Sequence, residues 1–230
     1  MLTSIACLSL TCAAQTVFNP ATDFSITNGN PNGVWSYGLA SSPTSGFSLL
    51  TSTGDWNGVT GLDRWGTGGT AEYFYPIVFK NTTAAPIVYD SGLTVAAGQF
   101  GMVPGPEPTC AVARLTLPAG NYSLTATFSR LNTTASYVDV WIVIGGSIYP
   151  INQTLYDVGA SASVATYLFS ATEGTIVDFV VGPNTGGLGA ANNDTIGLAA
   201  TVTAIPEPSA YAALAGLAAM GWARWRRHCR

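Results

Sequence analysis

Reading along the chain, the clearest signal is a two-residue period. In "GNYSLTATFSRL" Tyr122, Leu124, Ala126 and Phe128 fall on one side and Ser123, Thr125, Thr127 and Ser129 on the other. A strand with one buried face has this alternation, because successive side chains of extended backbone point to opposite faces. "YVDVWIVIGG" repeats it, setting Val138, Val140, Ile142 and Ile144 against Tyr137, Asp139 and Trp141. Further strands are predicted at "AEYFYPIVFK", "CAVARLTL", "SVATYLFSA", "GTIVDFVVG" and "TIGLAATVT", separated by turns rich in Gly, Pro and Asn such as "LPAGN" and "TEGT". Neither a helical period nor an internal repeat interrupts this series. Many short strands at regular spacing predict an all-β fold, an antiparallel β-sandwich of jelly-roll type spanning residues 15–204.

The alternation fails at both ends. Residues 1–14 are apolar from Ile5 to Ala14 and offer small residues at Cys12 and Ala14, as cleavage of a signal peptide after Ala14 requires. The positive residues that usually precede such a run are missing here; a start slightly upstream would supply them, and a buried first strand is the alternative. At the other end Ala210–Ala223 reads "AYAALAGLAAMGWA", apolar all round a helix, followed by Arg224, Arg226, Arg227 and Arg230. This run is short of the roughly 20 residues of a comfortable bilayer span, yet it suits a short C-terminal transmembrane helix with Trp222 and Trp225 at the interface. The arginines would keep that end on the cytoplasmic side.

Charge separates the tail from the body. Charged residues are 9% of the chain, far below an average soluble protein, so hydroxyls and amides must supply solubility. Before Ile205 the basic residues are Arg64, Lys80, Arg114 and Arg130 against eleven carboxylates, which leaves the body near −7 and the tail near +3. A body of that sign without a basic patch argues against nucleic-acid partners, which need Lys and Arg to neutralise phosphate.

The candidate chemistry is narrow. The one histidine, His228, sits in the tail, so the body can hold no Ser-His-Asp or Cys-His nucleophile, and no catalytic residue is assigned. The cysteines, Cys7, Cys12, Cys110 and Cys229, lack zinc-ligand spacing. Asp55, Asp63 and Glu72 share a loop-rich stretch and are the carboxylates that a glycoside hydrolase would have to use. Aromatic residues gather in the first half; Trp35, Trp56 and Trp65 are the candidate sugar-stacking residues, the last two in the Gly-rich segments "GDWNG" and "DRWGTGG". Tyr73 and Tyr75 fit a buried strand equally well. Asn192, Asn193 and Asp194 in "GGLGAANNDT" are oxygen ligands that calcium could use, or an Asx turn without an ion; no other cofactor is expected.

The C-terminal parts, Pro206-Glu207-Pro208, an Ala/Leu/Gly span and a terminal Arg cluster, resemble the PEP-CTERM sorting signal of Gram-negative bacteria that make exopolysaccharide. Tails of this kind also go under the label of an ice-binding protein C-terminal domain, which states an address and no ice affinity. The resemblance implies that residues 205–230 are held transiently in the inner membrane and that an exosortase acts at the Pro-Glu-Pro element. The body would then be delivered to the cell surface or extracellular matrix. Pro206 and Pro208 suit that step, because they keep the backbone extended and open to a protease. The blocks "FSITNGNPNGVWSYG", "PGPEPTCAVARLTLPAGNYSLTATFSRLN" and "GTIVDFVVGPNTGGLGAANNDTIGLAATVT" are similar to bodies found ahead of such tails, which resemble carbohydrate-binding-module jelly rolls. Such bodies often carry His-Pro-Gly where this chain has Val103-Pro104-Gly105. The expectation is a secreted, non-enzymatic envelope or matrix protein, with binding of exopolysaccharide as the alternative activity and carboxylate-based hydrolysis as a third.

Overall fold

The structure, a computed structural model, describes residues 15–68, 76–89, 92–184, 194–206, 216–222 and 224–226. In chain order the body's elements are β1 (Val17–Phe18), α1 (Pro20–Asp23), β2 (Trp35–Ala40), β3 (Ser48–Leu49), β4 (Ser52–Asp55), a 3-10 turn (Trp56–Gly58), β5 (Leu62–Gly66) and β6 (Ile77–Asn81). There follow β7 (Ile87–Tyr89), β8 (Leu93–Val95), β9 (Phe100–Val103), β10 (Cys110–Leu117), β11 (Gly120–Arg130) and β12 (Val138–Ile144). The last four are β13 (Ser147–Leu155), β14 (Ser161–Ala171), β15 (Thr175–Pro183) and β16 (Ile196–Ile205).

These strands make two antiparallel sheets and a small hairpin, the sandwich that the alternation predicts. The larger sheet runs β14-β11-β16-β9-β6-β5-β4, with β1 also paired to β16; the smaller runs β13-β12-β15-β10-β2-β3. The β7–β8 hairpin stands apart from both. From β9 to β12 and from β13 to β16 the chain passes from one sheet to the other at each step, so apart from the β12–β13 hairpin these strands pair with partners distant in sequence.

The core between the sheets is built by the predicted rows. Val138, Val140 and Ile142 of β12, Val177, Phe179 and Val181 of β15 and Ala111, Ala113 and Leu115 of β10 meet Leu124, Ala126 and Phe128 of β11 and Leu198, Ala200 and Val202 of β16. At roughly 25 cal/mol per Å² of buried apolar surface, this layer is the main source of stability. A second apolar cluster lies on the far side of the larger sheet, where the β7–β8 hairpin and Trp56 cover Leu62, Ile77, Phe79 and Val103.

The smaller sheet has a different outer face. The β12–β15 and β10–β15 registers set Asp139 opposite Gly182, Trp141 opposite Val180, and Arg114 opposite Asp178. Arg114 Nε and Nη2 donate to the two Asp178 carboxylate oxygens at 2.8 Å each, and its guanidinium stacks on Phe47 at 3.7 Å. A tight two-residue turn, Gly145-Gly146 with φ 57° and 84°, closes the β12–β13 hairpin; side chains beyond glycine rarely adopt that left-handed pair.

Two expectations need adjustment. The strand expected over residues 71–80 is seen as β6 from Ile77; residues 71–75 lie outside the described residues. Helix occurs at residues 216–222 and 224–226, but among the described residues no helix is long and apolar enough to cross a membrane, so the expected transmembrane helix has no support here.

Candidate functional site

The three tryptophans expected to meet sugar are inside the protein. Trp35 is 1% exposed, stacks on Phe179 at 6.2 Å, and donates its indole N–H to Asp23 Oδ2 at 2.9 Å. Trp65, 6% exposed, sits opposite Val78 in the β5–β6 ladder and donates to the Ser25 carbonyl at 2.9 Å. Trp56, 5% exposed, packs between Phe79 and Tyr89, each 4.7 Å away. None of these indoles offers a free face. Gly54 and Gly66, beside Trp56 and Trp65, lie within β4 and β5 rather than in exposed binding loops.

The carboxylates part company. Asp55 and Asp63 are direct partners in the β4–β5 ladder, which puts their side chains on one face, with Lys80 across from Asp63 on β6. Burial pushes the Asp63 carboxyl up and the neighbouring Asp55 adds to this, while a hydrogen bond from Thr82 and the Lys80 charge hold it back. Glu72 lies outside the described residues, as do Asn192, Asn193, Glu207, Pro208, Arg227 and Arg230. Asp194 is 2% exposed and accepts a hydrogen bond from Ser136 Oγ at 2.6 Å. Arg130 lies close enough to act on its charge, and itself donates to the Thr134 carbonyl at 2.9 Å and to the Ser136 carbonyl. A cation at Asp194 would compete with that guanidinium. Among the described residues, no three His, Cys, Asp or Glu side chains gather as a metal site.

Of the described parts of the body, the outer face of the smaller sheet is where aromatic rings and fixed polar groups meet solvent together. Trp141 is half-buried, packs on the apolar cluster of Ala40, Cys110, Val112, Val143 and Val180 on this face, and meets Gly182, where a Cβ would stand 2.7 Å from the indole and 2.9 Å from Cys110 Sγ. The absent side chain at Gly182 lets the ring rest on the sheet. Beside it, Asp139 Oδ1 accepts from Thr154 Oγ1 and from Asn184 Nδ2 at 2.9 Å, which fixes the carboxylate's orientation. One register step further, Tyr137 and Tyr156, 42% and 45% exposed, bring their rings to 4.3 Å. Asn152, exposed, faces Trp141 across the β12–β13 ladder.

This group was legible in part. The period of β12 puts Tyr137, Asp139 and Trp141 on the face away from the core, which is the signal that could have nominated Trp141 ahead of Trp35, Trp56 and Trp65. Gly182 and Thr154 come from two other strands and Asn184 from the exit of β15, and no local pattern links them to Trp141. A third feature is a groove of about 540 Å³ on the outer face of the larger sheet, floored by Thr125, Thr127, Ser163, Ala199 and Thr201 and carrying no charged side chain.

No protein-family model matches the chain, and no curated protein matches it. Among solved structures it is similar to a family 35 carbohydrate binding module from Clostridium thermocellum, at 14% identity over 55% of this chain and 90% of that one, with a TM-score of 0.29. It is also similar to the CBM36-1 domain of a multidomain xylanase from the hindgut metagenome of Trinervitermes trinervoides, at 13% identity, 57% and 98% coverage and a TM-score of 0.31. An arabinose-bound α-L-arabinofuranosidase matches at 10% identity, 66% and 24% coverage and a TM-score of 0.35. Likeness at this level decides nothing about a ligand.

The electrostatics of Asp194 predict a pH dependence. Burial raises its carboxyl from 3.8 to about 6, against the opposing pull of Ser136 and Arg130. Between those values the folded protein keeps a proton that the unfolded chain has released, so stability falls as pH rises through this window and levels off above it. Thermal melting followed by circular dichroism should show that decline, and Asp194→Asn should flatten it; an unchanged slope in the variant would contradict the assignment.

Proposed function

We propose that the chain is an extracellular, non-enzymatic β-sandwich that binds polysaccharide through the outer face of its smaller sheet. The observation that carries this reading is the half-buried Trp141 ring seated against Gly182 beside the oriented Asp139 carboxylate. An indole held in place by its packing can stack what it leaves exposed on the apolar face of a pyranose ring, and stacking of this kind costs little entropy because the ring is already held. Asp139, Thr154, Asn152 and Asn184 surround it with acceptors and donors for sugar hydroxyls. Strands β12, β13 and β15 hold these groups, so the site is preorganised by sheet pairing rather than by loops.

Delivery belongs to the tail. The Pro206-Glu207-Pro208 element, the apolar span and the arginines at 224, 226, 227 and 230 support sorting by an exosortase from a transient inner-membrane position to the cell surface or matrix. A body of few charges and many hydroxyls suits a hydrated polymer matrix. Neither a cofactor nor a calcium ion enters this reading.

In affinity electrophoresis through gels containing soluble polysaccharides, the wild-type body should be retarded by at least one polymer. Trp141→Ala should weaken that retardation about tenfold in affinity, or about 1.4 kcal/mol, while leaving the circular dichroism spectrum in place. Retardation indifferent to Trp141→Ala would remove the site. For the tail, intact mass of the secreted protein from a host with the matching exosortase should show residues 209–230 removed; a full-length mass would refute the sorting assignment.

A further inference from the structure

Resting on that reading, we propose that the ligand is a polymer of amino sugars carrying free ammonium groups. The grouping at the smaller sheet's outer face is a carboxylate with aromatic rings on either side: Asp139 lies between Trp141 and Tyr137, the residue that leads into β12, and Tyr156 closes against Tyr137 at 4.3 Å. Aromatic faces attract cations through the negative charge above the ring, most strongly for tryptophan, and a carboxylate beside them adds a direct charge-assisted hydrogen bond. A neutral sugar needs the ring and the hydroxyl partners alone. The carboxylate at the centre finds its full use with a positive group.

The surroundings leave that carboxylate's charge uncancelled. On β13 the side chains facing Asp139 are Thr154 and Asn152, both uncharged. On β15 and beyond it stand Asp178 and Asn184, the latter a neutral donor. On β10 the basic group is Arg114, held by Asp178 through two hydrogen bonds of 2.8 Å and stacked on Phe47. The Cys110 thiol, pushed up to about 11 by burial and by Asp139, stays neutral. The body as a whole carries about −7, a field that draws in polycations and repels polymers of uronic acids.

The test is isothermal titration with three hexasaccharides of one β-1,4 backbone that differ at carbon 2: glucosamine hexamer, N-acetylglucosamine hexamer and cellohexaose. Glucosamine hexamer should bind about tenfold more tightly than either of the others, with an advantage that shrinks at high salt. Asp139→Asn, which keeps the shape and the bond from Thr154, should erase that preference, and Trp141→Ala should weaken all binding. Equal affinity for cellohexaose, no binding of the glucosamine hexamer, or a preference that survives Asp139→Asn would overturn the amino-sugar assignment. A loss of affinity in Trp141→Ala would then still support polysaccharide binding; affinity unchanged in Trp141→Ala would overturn both.

Discussion

The structure depends on the burial of period-two apolar rows between two sheets. Val138, Val140 and Ile142 pack inward against the core, and this alone sends Tyr137, Asp139 and Trp141 outward. A one-residue slip in β12 would reverse every side chain, placing the Asp139 carboxylate in the core and turning two valines and an isoleucine out of it. The hydrophobic effect thus sets the register, and the register sets the site. Polar chemistry is carried by the positions that the core does not need.

What makes the outer face more than a leftover surface is its fine packing. Gly182 removes the one side chain that would lift Trp141 off the sheet, and Asn184, two residues on, reaches back to Asp139. Both come from β15 and its exit, the strand at the centre of the smaller sheet, so the aromatic platform and its acceptor are held by the same well-paired backbone. The Arg114–Asp178 pair further along uses up its own charges. Asp139 therefore keeps its negative field in a protein with few cations to spend on it.

Alternation made the sheets and the buried rows legible, because burial of one face leaves a mark at every second residue. It failed for Trp56 and Trp65 for two distinct reasons. Trp56 is covered by Tyr89 from a hairpin more than thirty residues away, a contact that no local pattern announces. Trp65 sits in a Gly-rich stretch that reads as a loop, yet β4 and β6 pair with it on both sides. Trp141 carried the opposite signal, an aromatic on the polar side of a clean strand, and what was missing was Gly182 on a strand about forty residues later.

The central claim is that Trp141, and not the tryptophans of the first half, meets the ligand. Indole N–H resonances resolve these residues one by one in a ¹⁵N-labelled protein. On titration with glucosamine hexamer, the Trp141 signal should shift progressively while those of Trp35, Trp56 and Trp65 stay in place. A shift confined to Trp56 or Trp65, with Trp141 unmoved, would contradict the account.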